Sequence, residues 1–359
     1  MPKFLKRTLV ILFWVGLIFL SLYWPKLKFI AYETNSITVF AWGDIIDPQV
    51  VSDFEKETGI KVRVNYYSSN EELLVKLKAT KGLGYDLIIP SDYAVELLTQ
   101  ENLLKEIDKT KLRFWNTLNP ILLNHSFDPN NRYSIPFSWE IYLFGLDKGY
   151  FQGKHFKPSW KAIFNPAAMD YKISMINDPI DAVQFCSFYL FGYQRSLTAA
   201  QTEQIKQTLI QQKQKVEAYA SFRGDYFLAT KNCPLVLASS SYILRSMKKF
   251  PFITFAVPKE GTFITIESLA LPTTTTKDPL IYQFINFLFR PDSIKQHHET
   301  FGFFPSSLEA IHLIDWNPET KELLLTSTDR FKEFHFTRPL LPQRQLNDLW
   351  VEVKTEAIE

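Results

Sequence analysis

From Ile37 onward, short apolar strands and amphipathic helices alternate, each helix carrying its own start and stop signals, and this alternation restricts the fold more than any other feature. Ile37–Trp42 (ITVFAW) reads as a buried strand. Asp47 is an N-cap with Pro48 in the first helical position, and the helix that follows stops at Gly59. Lys61–Tyr67 alternates as a second strand. Ser69 and Glu72 have capping-box spacing ahead of a helix ended by Gly82 and Gly84. Tyr85–Pro90 is a third strand, and Ser91 caps the helix after it. The pattern specifies an α/β fold with an open, mostly parallel sheet flanked by helices. Ligands of such sheets bind in the crevice beyond the carboxyl ends of the strands. Here those ends carry Trp42, Gly43 and Asp44 after the first strand and Ser91, Asp92 and Tyr93 after the third, so both sets converge on one cleft.

A second lobe follows. Residues 133–147 contain a long apolar strand able to cross out of the first lobe, and 359 residues suit two lobes, each with its own core. Beyond it the expected elements are a strand at Lys172–Ile176, a helix from about Ile180 to Leu190, a helix from Ala199 to Tyr219, and strands at Leu235–Ala238 and Ile253–Val257. Ile264–Pro272 reads as a crossing back, Thr273–Thr276 as a loop, and Leu280–Phe289 as an amphipathic helix that rejoins the first lobe. The expected division is 36–142 with 266–308 in lobe one and 143–265 with 309–359 in lobe two. The hinges fall near 140–146 and 262–268.

Leu9–Trp24 is an apolar run of sixteen residues, interrupted only by Gly16 and Ser21, behind the basic Lys3, Lys6 and Arg7. This is an export signal. As a helix it reaches about 24 Å, short of the roughly 30 Å hydrocarbon core, so length does not separate a cleaved signal from a short membrane anchor. The flanking WPKLKFIAYET has no small-x-small cleavage site and favours the anchor over cleavage near 31–36. Either way, residues 36 onward are expected outside the cytoplasmic membrane. The net charge of +2 divides into +4 over residues 1–35 and −2 over the rest, which disfavours nucleic acid as a partner. Cys186 and Cys233 lack metal-ligand spacing and read as buried free thiols, with a single long-range disulfide as the alternative.

No glycine-rich phosphate loop, zinc signature or nucleophile elbow occurs, so neither a cofactor nor a metal is expected. The adjacent His297 and His298 fall on different faces of a helix and are expected at the solvated surface. The positive signal is carboxylates beside aromatics at strand and loop ends: Trp42 with Asp44, Asp92 with Tyr93, Asp178 with Asp181, and Glu267 on the return crossing. Asp178 precedes Pro179 in the manner of an N-cap, and Asp181 then sits in a first turn that favours an acid. A carboxylate pair also suits general acid–base catalysis, and spacing alone does not choose between binding and chemistry.

FEKETGIKVRVNYYSSNEEL, YDLIIPSDY, FDPNNRYSIPF, VPKEG with SLALP, and INFLFRPDSIKQ with FGFFPS follow one another from about residue 37 to 306. In this the chain resembles the periplasmic spermidine/putrescine-binding proteins, the substrate-binding subunits of polyamine ABC importers. The resemblance implies a two-lobed periplasmic-binding-protein fold that closes around a polyamine, delivers it to an inner-membrane ABC permease and performs no catalysis. It implies a periplasmic protein, with attachment to the membrane through residues 9–24 if the leader is retained. A string of ammonium groups needs carboxylates at fixed separations and flat apolar walls between them. By position, the amine-binding acids fall on Asp44, Asp178, Asp181 and Glu267, with further contacts at Trp42, Ser91, Tyr93, Ser221 and Phe303. Two wall tryptophans of the family are replaced by Ser239 and Thr265, the residues around Asp44 become Gly43 and Ile45, and Arg223 lies close to the ligand path. Acids kept while walls thin out fit a cationic ligand held more by charge than by stacking. A different cationic ligand, and more remotely an enzyme using Asp178 and Asp181, stand as the alternatives.

Overall fold

The structure is a computed structural model that describes residues 12–14, 35–220 and 223–356. Apart from Leu12–Trp14, which are helical, the apolar leader lies outside the described residues, and so does Ser221. Among the described residues no helix is long and apolar enough to cross a membrane.

Among the described residues eleven strands join in one sheet: β1 (Ser36–Trp42), β2 (Lys61–Tyr67), β3 (Leu87–Ile88), β4 (Ser134–Asp147), β5 (Ile173–Ile176), β6 (Val216–Ala220), β7 (Leu235–Ser239), β8 (Ile253–Ala256), β9 (Thr262–Ala270), β10 (Phe304–Pro305) and β11 (Phe334–Phe336). The main order is β2-β1-β3-β9-β4-β7-β5-β6. β1 runs parallel to β2 and β3, and β5 runs parallel to β6 and β7. Two antiparallel strands connect these parallel halves. β4 pairs with β9 over its first part, from Ser134↔Ala270 to Ile141↔Ile264, then with β7 and β8 over its last part. One continuous 14-residue strand thus serves both halves, which is why it is apolar almost throughout. Gly145 on β4 allows this close packing, because a Cβ there would stand 2.5 Å from Ile243 and 2.9 Å from Leu228 and Val236.

Local signals hold well. The Asp47 carboxylate accepts from the amide of Gln49, and the helix Pro48–Thr58 ends at Gly59 with φ 72°. The Asp178 carboxylate accepts from the amides of Ile180 and Asp181 at the head of the helix Pro179–Phe191. Four expectations are corrected. At the helix Asn70–Thr80 the box is offset by one residue: the Ser69 hydroxyl accepts from the Glu72 amide, but the Glu72 carboxylate reaches Ser68. Ser91 occupies its N-cap position without a capping bond, because its hydroxyl donates to Asn70 Oδ1. The helix starting at Ala199 ends at Lys213, and Val216–Ala220 forms β6, held by parallel pairing to β5 rather than by any local preference. His297 and His298 are buried, 6% and 3% exposed; their Nδ1–H groups donate to the carbonyls of Ser293 and Phe303, and the His298 ring packs on Trp316. Burial disfavours the imidazolium and lowers both pKa values, that of His298 to about 4.

One apolar core lies between β1–β3 and the helices Pro48–Thr58, Asp278–Leu288 and Pro291–Phe301, with Phe54 against Phe284 at 4.8 Å. Another lies around β5 and β7 and the helices Pro179–Phe191, Ala199–Lys213 and Gln343–Thr355, with Phe185 against Phe263 at 4.6 Å. A third runs under β4 and β9 through Trp139, Ile264 and Phe304. Cys186 and Cys233 are free and buried.

Candidate ligand-binding site

A cavity of about 560 Å³ opens where the carboxyl ends of β1 and β3 face the helix Pro179–Phe191 across β4 and β9. Eight of the nine residues anticipated from sequence line it: Trp42, Asp44, Ser91, Tyr93, Asp178, Asp181, Glu267 and Phe303. The ninth, Ser221, is outside the described residues. Gly43, Ile45, Arg223, Ser239 and Thr265 line it too.

Each acid is set by its element. Asp44 follows β1 in a left-handed turn at φ 60°. Asp178 spends one oxygen on capping, and Asp181, one turn on, accepts a 2.6 Å hydrogen bond from the Tyr142 hydroxyl. Glu267 stands opposite Ser138 on β9, 7% exposed, and its Oε2 has no hydrogen-bond partner among the described residues. Trp42 Nε1 is likewise buried and unpartnered. Desolvation, reinforced by neighbouring carboxylates, raises the pKa of Asp181 and Glu267 well above the ordinary carboxylate range. Tyr142 and the nearby indole pull in the opposite direction without cancelling that effect. Asp178 is also raised, chiefly by burial.

Asp92 differs from these. Its carboxylate accepts from the amide of Ile266 and pairs with Arg338, which also reaches Glu96, so it ties the helix Asp92–Gln100 to β9 and to residues near the C-terminus. Arg223 turns to Asp225 instead of entering the cleft acids, and its side chain is 64% exposed. Sequence reasoning missed Glu71, Glu140, Tyr142, Tyr242, Arg245 and Thr337, all on the cavity wall. Glu140 carried a usable signal: it is the one acid inside the apolar run SIPFSWEIYLFGL that precedes Asp147, where an unpaired charge is costly. Among the described residues no group of three or more His, Cys, Asp or Glu is disposed to hold a metal ion.

The cavity lies between two sheet halves and is lined by several separate carboxylates, of which Glu267 and Asp92 are buried. Residues 49–322 match the family described as bacterial extracellular solute-binding protein. The chain belongs to that family. Among its solute-binding relatives, the spermidine/putrescine-binding periplasmic protein of Escherichia coli K12 is 32% identical over 290 residues, 79% of this chain and 81% of that protein. The putrescine/cadaverine-binding protein of Pseudomonas aeruginosa is 26% identical over 346 residues, covering 90% and 95%. The spermidine/putrescine ABC transporter substrate-binding protein of Streptococcus pneumoniae matches with a TM-score of 0.75 over 89% of this chain and 98% of that one; at 24% identity it shows the likeness of fold. The periplasmic-binding-protein fold that the resemblance implies is thus the observed one.

Proposed function

We infer that this solute-binding protein captures a polyamine, putrescine or spermidine, outside the cytoplasmic membrane and delivers it to an ABC permease without chemical change. The observation that carries this is a pair of carboxylates without an ion pair in one cavity, buried Glu267 and half-buried Asp181, each holding its proton more tightly than a free carboxylate would. Unpaired buried charge is costly, so such a site takes its counter-charge from a ligand, and ammonium groups separated by methylenes supply it. Asp178 and Asp181 receive one ammonium, and Glu267 beside Trp42 receives another. Asp44 meets the solvent end, Ser91 and Ser221 add polar contacts, and Tyr93 and Phe303 flank the methylenes. The polyamine-binding names of the relatives at 32% and 26% identity support the same ligand class.

In this account residues 36–142 with 266–308 and residues 143–265 with 309–359 are the two lobes, closing about β4 and β9. Residues 9–24 hold the protein at the outer face of the membrane, beside the permease. A second reading has one specific support: Arg245 lines the cavity and makes no ion pair among the described residues, so it suits a ligand that carries a carboxylate as well as amines. Equilibrium dialysis with labelled spermidine, competed by putrescine, lysine and a neutral diol, tests both. The account expects binding at about micromolar or tighter, displaced by putrescine and untouched by the diol. Displacement by lysine but not by putrescine favours the second reading, and absence of spermidine binding by the folded protein refutes the first.

A further inference from the structure

On paired antiparallel strands, directly opposed residues project from the same face, and so do residues two apart along either strand. β4 and β9 are in regular register from Ser138↔Glu267 to Ile141↔Ile264, with Glu140 opposite Thr265, and Tyr142 of β4 is opposite Ser239 of β7. Glu267, Glu140 and Tyr142 therefore share one face, the floor of the cavity, and all three line it. Tyr142 carries the row onward to Asp181 through its hydroxyl. Glu140 and Glu267 are diagonal neighbours, a spacing of roughly 7–8 Å that a short methylene spacer bridges.

Glu140 has the marks of a group waiting for a ligand rather than of a structural acid. Its Oε2 is buried without a hydrogen-bond partner, and no ion pair holds it among the described residues. The hydroxyls of Ser239 and Ser241, the Ser241 amide and the Arg245 guanidinium offset only part of its burial, and Arg245 itself lies over the Tyr242 ring at 4.9 Å. Across from it stands Thr265, a small side chain, and both line the cavity. Glu267, 7% exposed and equally unpartnered at Oε2, faces the same floor.

We propose that Glu140 is an additional amine-binding carboxylate on the cavity floor and that it makes the site select a ligand with three ammonium groups over one with two. The inference rests on the polyamine reading. The floor then offers three stations in a row: Asp178 with Asp181, then Glu140, then Glu267 beside Trp42. A triamine occupies all three, whereas a diamine leaves one buried carboxylate without a counter-charge. Ser239 and Thr265 fit this role, because small side chains on either side of Glu140 leave room for a central ammonium to approach it.

The test is calorimetric titration of the wild-type protein and Glu140→Gln with spermidine and with putrescine, together with thermal unfolding of both proteins without ligand. Wild type is expected to bind spermidine at least about tenfold more tightly than putrescine, the worth of one further charge-assisted bond. Glu140→Gln is expected to lose about thirtyfold or more for spermidine and less than about threefold for putrescine. It is also expected to unfold at the same or a higher temperature, because an unpaired buried acid has been neutralised. Equal losses for both ligands, no loss for either, or a wild type that prefers putrescine would overturn the assignment, as would a lowered unfolding temperature, which marks a structural acid. A wild-type protein that binds neither ligand removes the polyamine reading itself, and this inference with it.

Discussion

Asp181 is held by the 2.6 Å bond from Tyr142 while burial and the nearby Asp178, Asp92 and Glu140 resist its ionisation. Glu267 and Glu140 are raised by the same cause, burial first and like charge where present. A carboxyl whose pKa is raised on folding contributes stability below about pH 4 that is lost as pH rises through its folded value. A bound ammonium needs the ionised form, so ligand affinity runs the opposite way and increases with pH. The other charged or titratable groups lining the cavity with this row are Asp44, Glu71, Asp92, Tyr93, Asp178, Tyr242, Arg245 and, turned to Asp225, Arg223; Arg338 is held on Asp92. Spermidine affinity is expected to increase between about pH 5 and pH 7.5, with net proton release on binding. Calorimetry in buffers of different ionisation heat measures this, and proton uptake on binding contradicts it. Asp181 and Glu267 were accessible from the sequence because they sit where strands end or cross. Glu140 was visible only as an acid within an apolar strand; the face it occupies, and with it a place in the cavity, required the register.

The helix Pro179–Phe191 gives Asp178 two duties, and they separate by substitution. Its carboxylate accepts from two backbone amides, and asparagine caps about as well as aspartate while carrying no charge. Asp178→Asn is therefore expected to keep thermal stability within about 0.5 kcal/mol of wild type and to weaken polyamine binding. Asp178→Ala is expected to lose about 1 kcal/mol of stability as well. Denaturant unfolding beside calorimetry reads both, and equal destabilisation by the two substitutions would show that capping is not what Asp178 does for the fold. Caps and stops such as Asp47, Gly59 and Asp178 were recognisable because their physics is contained within a few residues. β6 was not, since QKVEAYA continues the polar, helix-compatible composition before it and becomes a strand only by pairing with β5. The same limit applies to His297 and His298, whose burial depends on Phe137 and Trp316 from distant segments.

The cavity exists because β4, paired first with β9 and then with β7 and β8, runs through both halves of the sheet and brings the ends of β1 and β3 opposite the helix that starts at Pro179. Alternation of strands and helices implied the two halves and the crossings; the exact pairing that puts Glu140, Glu267 and Tyr142 on one face required the register. A crystal structure of the protein with spermidine bound reads this assembly without intermediaries. It is expected to show one terminal ammonium on Asp178 and Asp181, the central nitrogen at Glu140, the other terminal ammonium at Glu267 beside Trp42, and the lobes closed over the methylenes. A ligand seated elsewhere, or one whose nitrogens meet water while Asp181 and Glu267 stay unpaired, would contradict the account.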